Sequence, residues 1–226
     1  MFKEVLNTSI LGRAQKKGKV SFELINLREF GEGVHQIVDG RPYGGGAGMI
    51  LRADILAKAV KSVTNTSRSR RVCHIILTSA SGKPYKQADA RRLSKLDHII
   101  IVCGHYEGVD QRFIEKFVSE EISIGDFVLT GGEIPAMAIA DSVTRLIPGV
   151  LKKPEAVINE SFSYTEHRTP NTQLLEGPQY TKPDDFEGLK VPKILLSGNH
   201  GEVDKWRKEQ AVKKTKKVRP DLIKLS

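Results

Sequence analysis

The sequence predicts an α/β protein: a parallel β-sheet covered by helices on both faces, with a small helical unit behind it. Three observations lead there. The apolar runs VCHIILTS (72–79) and HIIIVCG (98–104) read as strands buried on both faces, and they alternate with helical patterns. Glycine-bearing turns follow or flank these strands, as in TSASGK (78–83), CGHYEG (103–108) and IGDFVLTGGE (124–133). After Pro148 the periodic pattern gives way to a polar stretch and then to a basic, helix-patterned tail.

Taken in order, ADILAKAV (53–60) has helical spacing and follows the turn-like GGGAG. Lys86–Lys95 reads as a helix, as does VDQRFIEKFV (109–118), with Phe113, Ile114 and Phe117 on one face. ISIGDFVL gives one or two short strands, with Gly125 just before an apolar strand and Gly131-Gly132 just after it. Ile134–Ile147 is a mostly apolar, Ala-rich helix. LKKPEAVINESFSYTEHRTPNTQ (151–173) holds two prolines and no sustained period. Unstructured loops of about 20 residues are usually functional or disordered. LLEGPQYTKP (174–183) and VPKILLSGNH (191–200) follow, and Ser197 or Asn199 caps a helix beginning near His200. The expected division is an α/β domain over 1–153, a flexible linker over 154–173 and a helical unit over 174–226.

A chain of 226 residues suffices for one good core, or one core with an appendage. Hydrophobic and charged contents of 39% and 28% belong to soluble globular proteins. No apolar run approaches the roughly 18 residues that span a bilayer, so no membrane partner is expected. The first residues have no signal-peptide core. Cys73 and Cys103 are too few for a disulfide framework or a zinc site; they read as buried thiols in a reducing cytoplasm. The net charge of +9 favours a polyanionic partner, RNA or DNA ahead of an anionic membrane. It concentrates in RSRR, ending at Arg71, and in GEVDKWRKEQAVKKTKKVR (201–219), where eight Lys or Arg stand against three acids around Trp206.

The glycine turns restrict the ligand. GxxxxGK[ST] is absent, which disfavours a nucleoside triphosphatase, and no apolar strand leads into the Gly-x-Gly of GGGAG as a dinucleotide site requires. The turns at strand ends carry no Lys or Arg to meet a di- or triphosphate. They offer backbone groups, the aliphatics Ile124, Val128 and Leu129, and the carboxylates Glu107 and Asp126. Such a lining suits an adenine ring, a ribose and a cationic centre, and S-adenosylmethionine has all three. Each glycine taken singly also reads as an ordinary turn residue.

RPYGGGAGM, CGHYEGVDQR, SIGDFVLTGGEIPAMAIADSVTRLIPGVL, LLEGPQYTKP and VPKILLSGNHGEVDKWR together resemble the bacterial tRNA (guanosine-37-N1)-methyltransferase family over nearly the whole chain. The resemblance implies a SPOUT-class fold with a deep trefoil knot, S-adenosylmethionine as methyl donor, an obligate homodimer with a shared site, and a C-terminal helical domain that grips tRNA. It places the donor against the backbone of Ile124, Gly125, Asp126, Phe127, Val128 and Leu129, with Gly104, Tyr106, Glu107, Gly108, Gly131 and Gly132. It implies Arg145 as the group that meets guanine O6 and Glu160 as the base that removes the N1 proton. Glu155 and Glu166 compete with Glu160 as linker acids, and a capping or surface arginine is the alternative for Arg145. Glu176, Ser197, Asn199, His200, Lys205 and Arg207 are the implied RNA contacts, and Trp206 reads as packing ahead of a base-stacking platform.

The chain departs from the family pattern in three places. Glu160 stands where the family has an aspartate. Ala80 in TSASG stands where a proline usually touches the adenine. An apolar first strand that normally precedes MFKEVLNTSILGRA is not in this sequence, which reads either as a start placed late or as a vacant sheet position. A divalent-ion need is sometimes associated with the family, but no ligand cluster supports Mg2+ and no metal ligands are assigned. The rival readings are an RNA-binding protein with a disabled methyltransferase domain and a SPOUT enzyme acting on another nucleoside.

Overall fold

In the run HIILT (74–78), Ile75 and Leu77 meet one layer of helices and Ile76 meets the other. A strand whose alternate side chains are both buried needs cover on both faces. The computed structural model describes residues 1–64, 73–153, 157, 160–162 and 173–223. The chain divides into two compact units, Met1–Lys152 and Lys153–Ser226.

The first unit runs α1 (Phe2–Leu6), α2 (Ser9–Lys16), β1 (Asp39–Gly40), β2 (Ile50–Leu51), α3 (Ala53–Thr64), β3 (His74–Pro84), α4 (Gln87–Leu93), β4 (Ile99–Cys103), α5 (Gln111–Phe117), β5 (Glu120–Ser123) and α6 (Glu133–Thr144). Its main sheet is parallel, in the order β4-β3-β5. One face packs Ile75, Leu77 and Val102 against Ile55, Leu56 and Val60 of α3 and Phe113 of α5. The other packs Ile76 and Ile122 against Leu93 of α4 and Ile139 and Val143 of α6. Ile76, Phe113 and Ile139 are fully buried, and truncating such a side chain to Ala costs about 2–5 kcal/mol. The mixed α/β class with a parallel sheet is therefore as the sequence predicts.

Boundaries of the expected helices fall within three residues of the structure's, except that α3 runs four residues past Val60. Two strands differ from expectation. β3 continues past Ser79 to Pro84, because it bows outward and rejoins β5: both Thr78 and Lys83 take Ile122 as partner, and Pro84 takes Ser123. A β-carbon on Gly82 would lie 2.6 Å from the amide nitrogen of Ile122, so the returning limb passes backbone against backbone. The expected apolar strand after Gly125 does not form. Ser123 Oγ accepts from the Gly125 amide (3.2 Å) and donates to the Gly125 carbonyl (2.9 Å), and the Phe127 amide donates to that same carbonyl (2.9 Å). These local bonds use the groups a ladder would need, and 124–127 forms a bend that leaves Val128 85% exposed. Cys73 and Cys103 are half-buried rather than buried, because one precedes β3 and the other ends β4.

The second unit holds the hairpin β6 (Asp185–Phe186) and β7 (Leu189–Lys190) and the long α7 (His200–Val218). Glu187 and Gly188 both take positive φ, the geometry of a tight two-residue hairpin turn. Asn199 caps α7, its side-chain oxygen accepting from the Glu202 amide at 3.3 Å. Val203, Ala211 and Thr215 of α7 and the segment's Leu174 are buried. Thr215 Oγ1 donates to the Ala211 carbonyl (2.7 Å) and accepts from the Leu175 amide (2.9 Å), fastening 174–177 to the helix. Glu155, Glu166 and the RSRR cluster lie outside the described residues. Among the described residues no helix is long and apolar enough to cross a membrane.

Candidate functional site

Main-chain bonds draw the glycine turns of the first unit together. The Gly132 amide donates to the Gly104 carbonyl at 2.7 Å, and His105 and Gly131 form an antiparallel bridge. The Glu107 amide donates to the Met49 carbonyl, and the Leu51 amide to the Gly108 carbonyl, each at 3.0 Å. The 41–51 turn, the 104–108 turn and the 131–132 turn thus meet at the C-terminal end of β4, the end where open α/β sheets bind ligands. At Gly132 a β-carbon would lie 2.7 Å from the Gly104 nitrogen and 2.8 Å from Cys103 Cα, so only glycine admits this approach. Tyr106 holds φ at +58°, an uncommon conformation for a residue with a side chain. The Tyr106 amide donates to His105 Nδ1 at 2.9 Å.

Thr78 is a site residue that sequence reasoning missed. Its hydroxyl lies 3.3 Å from the carbonyls of both Val102 and Gly132, inside the crossing. The available signal was a polar residue closing the apolar run HIILT directly before a glycine turn. Glu133 opens α6 beside Gly131. Burial, with a smaller push from Glu133, drives the Cys103 thiol up to about 12, so it stays protonated.

Of the implied cofactor residues, Gly104, Gly108, Gly131 and Gly132 are brought together in this crossing. Tyr106, Glu107, Asp126, Phe127 and Val128 are exposed, while Ile124, Gly125 and Leu129 are half-buried. No Lys or Arg lies in 104–108 or 124–132. Among the described residues no group of three His, Cys, Asp or Glu is arranged to hold a metal ion.

Arg145 is half-buried at the C-terminal end of α6, its amide donating to the Asp141 carbonyl at 3.1 Å. Glu160 belongs to the second unit and is half-buried. Its neighbour Ser161 accepts from the Glu176 amide at 2.9 Å, and the Phe162 amide donates to the Leu174 carbonyl at 3.1 Å. The short stretch 160–162 is therefore fixed beside 174–176. The Glu176 carboxylate accepts from Gln179 Nε2 at 2.6 Å. Ser197 Oγ donates to the Ile194 carbonyl (2.8 Å), and His200 is the exposed first residue of α7. Lys205 and Arg207 lie two residues apart and so project from different sides of the helix. Lys205 shares its side with Lys208, Val212 and Lys216, all within one or three turns, and Lys213 borders them. Arg207 instead sits 3.7 Å from Asp204.

A family model described as tRNA (Guanine-1)-methyltransferase TrmD matches residues 1–225. A tRNA (guanine-N(1)-)-methyltransferase of Bacillus pumilus is 51% identical over 223 residues, 99% of this chain and 87% of the relative. One from Bacillus subtilis is 49% identical over 224 residues, 99% of this chain and 88% of the relative. One from Dictyoglomus turgidum is 49% identical over 223 residues, 99% of this chain and 85% of the relative.

Proposed function

Because the chain belongs to the tRNA (Guanine-1)-methyltransferase family, we propose that it transfers a methyl group from S-adenosylmethionine to N1 of guanosine 37 in the tRNA anticodon loop. The observation that carries this reading is the family match over residues 1–225 together with a glycine crossing built to admit main chain and exclude side chains. The same reading takes the crossing as the deep trefoil knot of a SPOUT methyltransferase. The bow of β3 across Ile122 and the seat of Gly132 against Gly104 support that topology.

The residues present fit the donor. Peptide groups of 104–108 and 124–132 supply hydrogen bonds, Phe127 and Val128 supply apolar surface, and the exposed Glu107 and Asp126 tolerate a sulfonium. When bound, S-adenosylmethionine supplies an electrophilic methyl carbon and leaves as the neutral thioether S-adenosylhomocysteine.

Guanine N1 carries a proton at neutral pH and is a poor nucleophile. Glu160 accepts that proton, a step usually worth about 10²–10⁴-fold. Arg145 donates to O6, where negative charge collects as the proton leaves. The N1–carbon bond then forms as the carbon–sulfur bond breaks, and the proton passes from Glu160 to solvent. The linker acid completes the site as tRNA docks, so the base is in place only when its substrate is. The basic side of α7 binds phosphates, which orient the RNA without reading its sequence. Exposed Phe127, Val128 and Ile134 support a homodimer that covers this flank, with the site shared across the interface.

The test is methylation of a tRNA transcript by the purified protein, with and without guanosine at position 37. Activity that vanishes on replacing that guanosine supports the proposal. Activity that persists assigns the enzyme another nucleoside. Absence of S-adenosylmethionine binding by calorimetry removes the enzymatic reading altogether.

A further inference from the structure

Tyr180 and Trp206 form an aromatic pair in the second unit, with ring centroids 6.3 Å apart and planes tilted by 53°. Tyr180 is 48% exposed, and every described residue from 179 to 190 is exposed, so the outer face of its ring is open. Trp206 is half-buried. Its place on α7 accounts for that. At 100° per residue it falls between the side that carries buried Val203, Ala211 and Thr215 and the side that carries Lys205, Lys208 and Lys216. Lys213 lies seven residues on, directly along the helix from Trp206.

An exposed phenol ring supported from behind by an indole, at the border of a lysine stripe, has the two parts of a single-strand binding site: a stacking platform and an electrostatic track. The residues that support the pair are fixed rather than adaptable. Gly177 lies against α7, where a β-carbon would stand 3.3 Å from the Arg207 carbonyl, and Leu175 is bonded to Thr215. The chain leading to Tyr180 therefore leaves the helix at a set point, and the ring is positioned before any ligand arrives.

We propose that Tyr180, backed by Trp206, stacks on an unpaired base of the bound tRNA while the lysines beside it meet the flanking phosphates. The occupant is an RNA base rather than a protein side chain because cations outnumber acids on the helix face the ring borders, Lys205, Lys208, Lys213 and Lys216 against Glu202 and Glu209, and a nucleotide offers an aromatic face and an anion together. The inference rests on the second unit being the RNA-binding part of a tRNA methyltransferase.

Trp206 is the only tryptophan in the chain, which makes its fluorescence a local reporter. Titrating the full-length protein with tRNA is expected to quench or shift that emission. Tyr180→Ala is expected to weaken tRNA binding by about 5- to 150-fold, the range of one lost base–aromatic stack. Tyr180→Phe, which keeps the ring, restores the affinity. The slope of log K against log salt stays at the wild-type value in Tyr180→Ala, because no phosphate contact is lost, whereas Lys208→Ala lowers it. Affinity for S-adenosylmethionine is unaffected in each variant. Wild-type tRNA affinity in Tyr180→Ala overturns the proposal while leaving the methyltransferase reading intact. A loss in Tyr180→Ala accompanied by a reduced salt slope also overturns it, since the ring then only supports the basic helix. Failure of the wild-type protein to bind tRNA at all removes the underlying reading as well.

Discussion

The amide of Gly132 donates to the carbonyl of Gly104 across 2.7 Å, and the space between the two segments admits no side chain. Gly132→Ala forces a β-carbon against the Gly104 nitrogen and Cys103 Cα, a form of overpacking that typically costs about 1–3 kcal/mol. The variant is expected to melt at lower temperature and to bind S-adenosylmethionine more weakly. Thermal unfolding and calorimetry measure the two effects, and wild-type values in both would falsify the role given to this approach.

Arg145→Ala and Glu160→Gln separate the two proposed chemical roles. Removing the donor to O6 is expected to lower kcat by about 10²–10³-fold, and neutralising the base by about 10²–10⁴-fold. KM for tRNA should change little in either. Single-turnover methylation is the measurement, and full activity in Glu160→Gln transfers the role of base to another acid.

Glu120 links stability to pH. Burial pushes its carboxyl up, but Arg92 at 2.8 Å and His74 at 2.6 Å hydrogen-bond to it and hold it below its ordinary value. A carboxylate held low in the folded protein contributes stability that is present above its unfolded value, about 4.3. That contribution is lost as pH falls through the lower folded value. Denaturation midpoints measured from neutral pH downward should therefore drop below about pH 4.3, and Glu120→Gln should flatten this acid limb. An identical limb in the variant assigns the acid sensitivity to other groups.

Thr215 is fully buried and serves as acceptor for Leu175 and donor to Ala211. Thr215→Val keeps the volume and leaves the Leu175 amide without its acceptor, at a cost of about 1–3 kcal/mol. Thr215→Ser retains both bonds and should lose less. Chemical denaturation of the full chain distinguishes them, and equal stability of the Val and wild-type proteins would show that water replaces the hydroxyl.

Cys103 should resist alkylation. With its thiol raised to about 12, the reactive thiolate fraction at pH 8 is about one in 10⁴. Peptide mapping after iodoacetamide treatment of the native protein should find this residue unmodified until the protein is unfolded.

The elements that were legible in the sequence are those whose side chains repeat. Ile75–Leu77 and IIIVC announce strands covered on both faces because consecutive positions are apolar, and α3 and α5 follow from their 3.6-residue spacing. The second limb of β3, ASGKP, was not legible: it is polar, contains glycine and proline, and is a strand only because Ile122 and Ser123 lie alongside. Phe127, Val128 and Leu129 misled in the opposite direction, since an apolar run makes a strand only when a neighbour offers a free ladder edge. The glycines of the site could be found in the sequence, but their mutual approach could not. That approach depends on Thr78, Gly104 and Gly132 meeting from three separate stretches of chain.

The bow in β3 has a consequence during synthesis. Lys83 and Pro84 acquire their partners only when Ile122 and Ser123 have been made, roughly 40 residues later. At about 5–20 residues per second the ribosome takes roughly 2–8 s to deliver them. Throughout that interval the apolar first limb of β3 also lacks its β5 partners Glu120–Ile122, so the vulnerable moment for aggregation comes before the polypeptide is released.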